Sequence, residues 1–289
     1  MPPATSARGR TATTSTDVPG GALPQLPQPP QLPQGLLELL RDGDLELLGR
    51  LVGSSNNAMV VRVLPAGSLP AADAADDAGP RPLEPGDTLA VWKPTRGERP
   101  LFDFPVGTLT RREVAAHLVS EALGWAIVPP TLLREGPFGE GMLQLWIDAD
   151  PAADVVDLVN GDDPRLRRVA LFDAIVNNTD RKAGHLLPVP GGHLFAVDHG
   201  VTFSVVPKLR TVLWAWEAEP FEAGEVAALE RVRDALGTAR APGALATGLR
   251  DLLAAREVAA TRARVADLLA TGVFPGPNPD WPAIPWPPY

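Results

Sequence analysis

The chain has no cysteine. Disulfide frameworks, thiolate metal sites, iron–sulfur clusters and cysteine nucleophiles are therefore excluded. It lacks any apolar run near the ~18 residues of a spanning helix, and its first residues lack the apolar core of a secretory leader. Basic charge is in deficit, with 26 Lys and Arg against 35 Asp and Glu and a net charge of −9. That balance disfavours nucleic acid or an anionic membrane surface as a partner. Together these absences predict a cytoplasmic protein with no membrane span and no nucleic-acid partner.

Proline is the excess, at 33 of 289 residues, about twice the usual share. Its clusters divide the chain. Residues 1–35 read as a disordered tail, and the run PQLPQPPQLPQ within it favours polyproline II. Such a run can serve an SH3- or WW-like protein partner. Residues 66–86 carry acids, Ala, Gly and Pro with no period, and read as a mobile insertion. The final PGPNPDWPAIPWPPY cannot be regular structure. Its Trp281, Trp286 and Tyr289 suit packing on the domain, closure over a cleft, or a protein contact.

The remaining segments are apolar enough to fold. A short helix is expected over Leu36 to Leu40. Strands are expected over Leu45 to Val52 and Ala58 to Leu64, around a small polar loop from Gly53 to Asn57. Thr88 to Trp92, Thr131 to Arg134 and Gly141 to Ile147 read as further strands. Leu109 to Leu123 reads as a helix, with Thr110 as N-cap and Glu113 in the capping-box position. The second half changes character. Helices are expected over Pro164 to Asn177 (capped by Asp163), Pro207 to Trp216, Glu222 to Leu236 and Gly243 to Thr271. A hairpin closed by Gly191 and Gly192 interrupts them. The expected class is α+β in two lobes, a β-rich N-lobe over residues 36–147 and a mainly helical C-lobe over residues 148–289.

Chemistry concentrates in two polar segments. Asn177-Asn178-Thr179-Asp180-Arg181-Lys182-Ala183-Gly184-His185 follows an apolar helix, and Asp198-His199-Gly200 follows an apolar strand. Two loop aspartates, each held by a hydrophobic element, suit a metal–phosphate site, because Mg²⁺ takes one or two carboxylates plus phosphate oxygens and water. Lys93 ends the strand Ala90-Val91-Trp92-Lys93. The loop Gly53 to Asn57 offers backbone amides to phosphate. Taken singly, a strand-end lysine, a small-residue turn and an aspartate before His-Gly are ordinary surface features. Their order is not ordinary. Hairpin loop, strand lysine, helical glutamate, loop aspartate and post-strand aspartate follow one another as kinase-type phosphoryl transfer requires.

NNTDRKAGHLL resembles the catalytic loop, LFAVDHGVTF the metal-binding segment and AVWKP the phosphate-binding lysine strand of the phosphatidylinositol 3-/4-kinase-like group. The chain looks like a distant member of that group, close to an actinobacterial family within it. The resemblance spans roughly residues 45–270 in element order, and implies a two-lobed protein-kinase-like fold. By that resemblance Lys93 would contact the α- and β-phosphates of ATP, held by Glu113, with Glu121 ranked second. Ser54, Ser55 and Asn56 would cover the phosphates. Gln144, Trp146 and Ile147 would line the adenine hinge. Asp180 would orient the acceptor hydroxyl or act as base, and Asp198 would bind Mg²⁺ or Mn²⁺. Arg181 would be structural, or would neutralise charge near the loop.

Two departures qualify the resemblance. His185 stands where the group places a metal-binding asparagine. Three readings stay open: a ligand for a softer, Mn²⁺-like metal, a cationic phosphate contact, or loss of the second metal site. The segment after Asp198 offers only Lys208 and Arg210 as basic residues. That disfavours an anionic lipid acceptor and favours a protein Ser/Thr or small-molecule hydroxyl. The expected activity is metal-assisted phosphoryl transfer from ATP to such a hydroxyl. The alternatives are a nucleotide-binding pseudokinase acting as an interaction module, and nucleotidyl transfer with ATP reversed.

Overall fold

The computed structural model describes residues 30–51, 57–69 and 80–289. The expected Pro-rich tail over 1–29, the core of the insertion over 70–79, and Ser54, Ser55 and Asn56 lie outside the described residues. The described chain is α+β. A helical lobe follows a lobe built on one antiparallel sheet.

Helix α1 (Leu36–Asp42) precedes β1 (Asp44–Arg50), β2 (Met59–Leu64) and β3 (Thr88–Pro94). Helix α2 (Leu109–Leu123) follows, then β4 (Thr131–Gly136) and β5 (Gly139–Leu145). The strands lie in the order β1-β2-β3-β5-β4, with every neighbouring pair antiparallel. Alternation in β3 buries Ala90 and Trp92 on one face, with Leu36, Leu40, Val61, Val63 and Leu143 around them. Period-2 geometry turns Val91 and Lys93 to the other face. Lys93 therefore stands opposite the small core that fixes its strand.

The ends of the expected insertion are tied down. Leu69 N–H donates to Asp44, and the Arg62 guanidinium donates to the Arg81 carbonyl. The cap on α2 differs from expectation. The helix begins at Leu109, and Glu98 accepts both the N–H and the hydroxyl of Thr110. No capping box forms with Glu113, whose carboxylate is free to turn into the interlobe cleft.

The helical lobe holds α3 (Val155–Asn160), α4 (Pro164–Val176), α5 (Ala223–Leu236), α6 (Ala244–Arg250) and α7 (Ala255–Thr271). A two-stranded hairpin, β6 (Leu186–Pro188) with β7 (Leu194–Ala196), lies among them. Helix α3, absent from the sequence expectation, is held by Asp154 accepting from Val156 N–H and Asp157 N–H. The expected helix over Pro207 to Trp216 does not form. Its amides pair outward instead: Arg210 N–H donates to Asn178 O, and Thr211 N–H to Ala283 O. The expected single helix over Gly243 to Thr271 is two. Helix α7 restarts where Glu257 caps Ala254 N–H and pairs with Arg112.

The main core sits in the helical lobe and takes in Ala115, Ala116, Val119 and Leu123 of α2. Buried Arg112 fastens that helix further, bonding Glu257 of α7 at 2.6 Å and Thr202 O at 2.7 Å. Helix α2 thus packs with the helical lobe, and one turn of it projects into the cleft. No described helix is long and apolar enough to cross a membrane.

Gly141 faces Trp92. A Cβ there would meet the indole at 2.7 Å and Lys93 O at 2.6 Å. Gly141→Ala is expected to lower unfolding free energy by about 1–3 kcal/mol through overpacking. Urea denaturation checks this, and an unchanged midpoint would show that the indole has room to move.

Candidate active site

Helix α4 ends at Asn177, whose left-handed backbone (φ 51°) turns the chain out of the helix. The loop that follows carries Asp180 and Arg181. Asp173, in the last turn of the helix, is fully buried in an apolar run. Its carboxylate accepts from Asn178 Nδ2 at 2.9 Å, and from Arg181 Nε and Nη2 at 2.9 Å each. Arg181 also donates to Val197 O at 3.0 Å and contacts His199 Nε2 at 2.6 Å. A guanidinium only donates, so His199 Nε2 accepts and its proton sits on Nδ1. Burial, then the Arg181 charge, holds His199 well below its ordinary pKa and neutral. Arg181 itself is wholly buried. Its burial against Asp173 favours the structural one of its two expected roles over a catalytic one: Arg181 is a positioning residue.

Strand β7 delivers Asp198 in a left-handed conformation, φ 62°. A non-glycine residue there carries strain of order 1–3 kcal/mol, which marks sites where geometry serves function. Asp198 Oδ1 lies 2.9 Å from Lys93 Nζ, and Lys93 Nζ lies 2.7 Å from Glu113 Oε1. Glu113 Oε2 accepts His199 N–H at 2.7 Å. The strand lysine, the helical glutamate and the post-strand aspartate therefore meet in one cluster joining both lobes. Glu121 is exposed and meets none of them.

The electrostatics follow from this packing. Burial alone would lower the Lys93 ammonium, but Asp198 and Glu113 more than offset it and hold the pKa above its ordinary value. Lys93 holds Asp198 well below the usual carboxylate range, against its burial. Burial raises Asp180, opposed in part by Lys182 at 3.4 Å. Burial pushes His185 down to about 4, against the pull of Asp198.

Two cavities meet at this cluster. The larger, about 590 Å³, runs from Lys93 and Asp198 past His185 to Gln144, Trp146, Ile147 and Asp148 at the junction of the lobes. Gln144 donates to Thr131, and the Trp146 indole to Asp148. Both stay on the wall. The smaller, about 340 Å³, is lined by Asp180 and Asp198 on one side and by residues 99–102 on the other. Asp198 is common to both. Asp180 borders only the second.

The side chains present fit a metal shared with phosphate. His185 Nε2 lies 3.5 Å from Asp198 Oδ2, while its Nδ1 is buried without a hydrogen-bond partner. Among the described residues no three acidic or imidazole side chains gather into a cage. A donor set this small suits a cation whose remaining ligands are phosphate oxygens and water.

The C-terminal segment packs on the helical lobe. Pro288 O accepts Ala183 N–H beside His185, Ala283 O accepts from Thr211 N–H and the Trp214 indole, and the Trp281 ring lies 5.6 Å from Lys208 Nζ. It buttresses the loops that carry the site. Trp286 and Tyr289 remain exposed.

Several contributors escaped the sequence reading. Asp173 left one signal, a lone acid in the apolar run VALFDAIV. The Arg112–Glu257 pair and the wall of residues 99–102 left none.

No family model matches the chain. It is 40% identical over 286 residues to Protein Rv2133c of Mycobacterium tuberculosis, covering 87% of this chain and 94% of the relative. Among solved structures it is similar to the Helicobacter pylori proinflammatory kinase CtkA, at 12% identity and a TM-score of 0.40 over 79% of this chain and 98% of that one. It is similar also to the Rio2 kinase of Chaetomium thermophilum, at 13% identity and a TM-score of 0.30 over 78% and 70%.

Arg181→Ala would strand the Asp173 carboxylate in the core. It is expected to cost about 3–5 kcal/mol of stability, as breaking a buried pair does. Urea unfolding measures this, and an unshifted midpoint would deny Arg181 its structural role.

Proposed function

The chain belongs to the family of the mycobacterial protein Rv2133c, and we propose that it is an ATP-dependent, metal-assisted phosphotransferase acting on a hydroxyl acceptor. One observation carries this reading. Asp198, paired with Lys93, stands at the meeting point of two cavities, and only the second is bordered by Asp180. A donor phosphate in the first and a hydroxyl in the second would meet beside Asp198. That in-line placement is the main demand of phosphoryl transfer.

The roles follow. ATP would lie in the larger cavity, its base along Gln144 to Ile147 and its phosphates toward Lys93. Glu113 orients Lys93 and keeps it charged. Asp198 and His185 would hold Mg²⁺ or Mn²⁺, which when bound supplies neutralisation of charge on the transferring phosphoryl group. Neutral His185 keeps a ring-nitrogen lone pair for a metal, which supports the ligand reading over the cationic one. Asp180, whose pKa burial raises above its ordinary value, is suited to take the acceptor's proton. Kinship with the phosphatidylinositol 3-/4-kinase-like group remains part of the proposal, as does a cytoplasmic site of action, where ATP is abundant. A second reading rests on His185 in the asparagine position: a nucleotide-binding module without transfer. Label from the γ-position of ATP on an acceptor marks a kinase, label from the α-position marks nucleotidyl transfer, and neither marks the module.

Calorimetric titration of ATP with Mg²⁺ and then Mn²⁺ tests the site. Wild type is expected to bind, and Asp198→Ala to lose metal-dependent binding. Asp180→Ala is expected to keep binding and lose about 10²-fold or more in transfer, the usual worth of general base catalysis. Full turnover in either variant would overturn its assigned role.

A further inference from the structure

The smaller cavity has a wall that the phosphotransferase reading does not use. Residues 99–102, between β3 and α2, face Asp180 and Asp198 across about 340 Å³. This segment is pinned at both ends. Upstream, Glu98 accepts from Thr110 N–H at 2.8 Å and from its hydroxyl at 3.0 Å. Downstream, Asp103 is ion-paired with Lys208. Phe104 is buried, with Lys208 Nζ 4.3 Å and Arg112 Cζ 4.8 Å from its ring centroid. Lys208 belongs to the stretch that follows Asp198, so that stretch is tied to the opposite wall.

A polypeptide acceptor would need a trough on both sides of the reacting hydroxyl, at about 3.3 Å of length per residue. Here the wall and the post-Asp198 stretch are joined by the Asp103–Lys208 pair, a tie that an extended chain leaving on that side would have to pass. The volume lies at the low end of small-molecule sites. Its chemistry is mixed: the carboxylates of Asp180 and Asp198 and the side chain of Arg99 are its charged groups, Leu101, Leu109 and Val201 supply apolar surface, and exposed Phe102 stands at its rim.

We infer that the acceptor is a small alcohol with an apolar body, held in this cavity with its hydroxyl toward Asp180 and its carbon frame against Leu101, Leu109 and Val201. The inference rests on the phosphotransferase reading and narrows it. In the reaction the acceptor oxygen forms a new bond to the γ-phosphorus of ATP. The bond from that phosphorus to the bridging oxygen breaks, ADP leaves with its electron pair, and the hydroxyl proton passes to Asp180.

The test uses the full chain with ATP and Mg²⁺ or Mn²⁺. The small-molecule probes are 2-phenylethanol, cyclohexanemethanol, 1,6-hexanediol and glycerol, and dephosphorylated casein is the polypeptide probe. Saturation-transfer NMR reads binding, γ-labelled ATP reads transfer, and calorimetry reads ATP affinity in the same samples. The apolar-bodied alcohols are expected to bind and take label in preference to glycerol, with casein unlabelled. Leu101→Trp fills the cavity from one wall and Val201→Phe from the other. Each is expected to weaken alcohol binding about tenfold or more, with ATP affinity retained. Label in casein, or alcohol binding unchanged in both folded variants, overturns the inference alone, whereas ATP binding with label on no acceptor marks the module of the second reading and overturns both. Failure of wild type to bind ATP overturns the phosphotransferase reading and this inference with it.

Discussion

The buried ion pair between Asp173 and Arg181 is the constraint on which the site depends. Two charges removed from water are stabilised only when good geometry and further hydrogen bonds offset desolvation. Both conditions are met. Asp173 accepts three side-chain bonds, and Arg181 spends its remaining donors on Val197 O and His199 Nε2. Those partners belong to separate segments: the last turn of α4, the loop carrying Asp180, and the strand end carrying Asp198. Once the pair forms, the two aspartates have little freedom relative to each other. His199 extends the arrangement. Its ring is fixed by Arg181 and by the edge of Phe172 at 5.2 Å, and its backbone N–H fixes Glu113. A continuous set of polar contacts thus runs from the core of the helical lobe to the lysine of the sheet.

Helix α2 lets that set cross between lobes. Arg112 and Glu113 are neighbours in sequence and point to different places. Arg112 enters the helical lobe and bonds Glu257, while Glu113 enters the cleft and bonds Lys93. The two hydrophobic cores remain separate, and α2 sits in the larger. The sheet's small core, around Trp92, fixes where Lys93 emerges. The glutamate that meets Lys93 belongs to a helix that contributes Ala115, Ala116, Val119 and Leu123 to the core of the other lobe. Lys93 can therefore be held only when the lobes are correctly apposed, so that a local ion pair reports a global arrangement.

The two-lobed α+β architecture was legible because its periodicities are strong. Alternation in Thr88 to Trp92 and the apolar run of Pro164 to Asn177 each admit one reading. Failures came where backbone groups are satisfied from outside the segment. Residues 207–216 have the composition of a helix, yet their amides serve the loop at Asn178 and the C-terminal segment at Ala283, which no local pattern announces. Gly243 to Thr271 read as one helix because the break depends on Glu257 serving both as a cap and as the partner of Arg112. At the site, Lys93, Glu113, Asp180 and Asp198 were nameable from residue order. For Arg181 the structural role stayed one of two alternatives, because an Asp-Arg dipeptide in a polar loop gives no local sign of burial. Its burial depends on Asp173, eight residues earlier and a full helical turn inside the core.

Asp198 concentrates the remaining tension in the structure. It combines a left-handed backbone, a pair with Lys93 and a position on both cavities. Aspartate tolerates the left-handed region better than most residues, so the turn after β7 can present its carboxylate there. The Lys93 pair keeps the half-exposed carboxylate ionised, which is the state a hard cation requires. His185 faces the same carboxylate as a neutral ring, kept so by burial. An asparagine in its place would offer a harder oxygen donor, whereas an imidazole nitrogen is a poorer match for Mg²⁺ and suits softer transition-metal ions. In the proposed reaction the residue at this position would bear on which metal assists. The positions of Asp198 and Asp180 are set by the two loops and are independent of that choice.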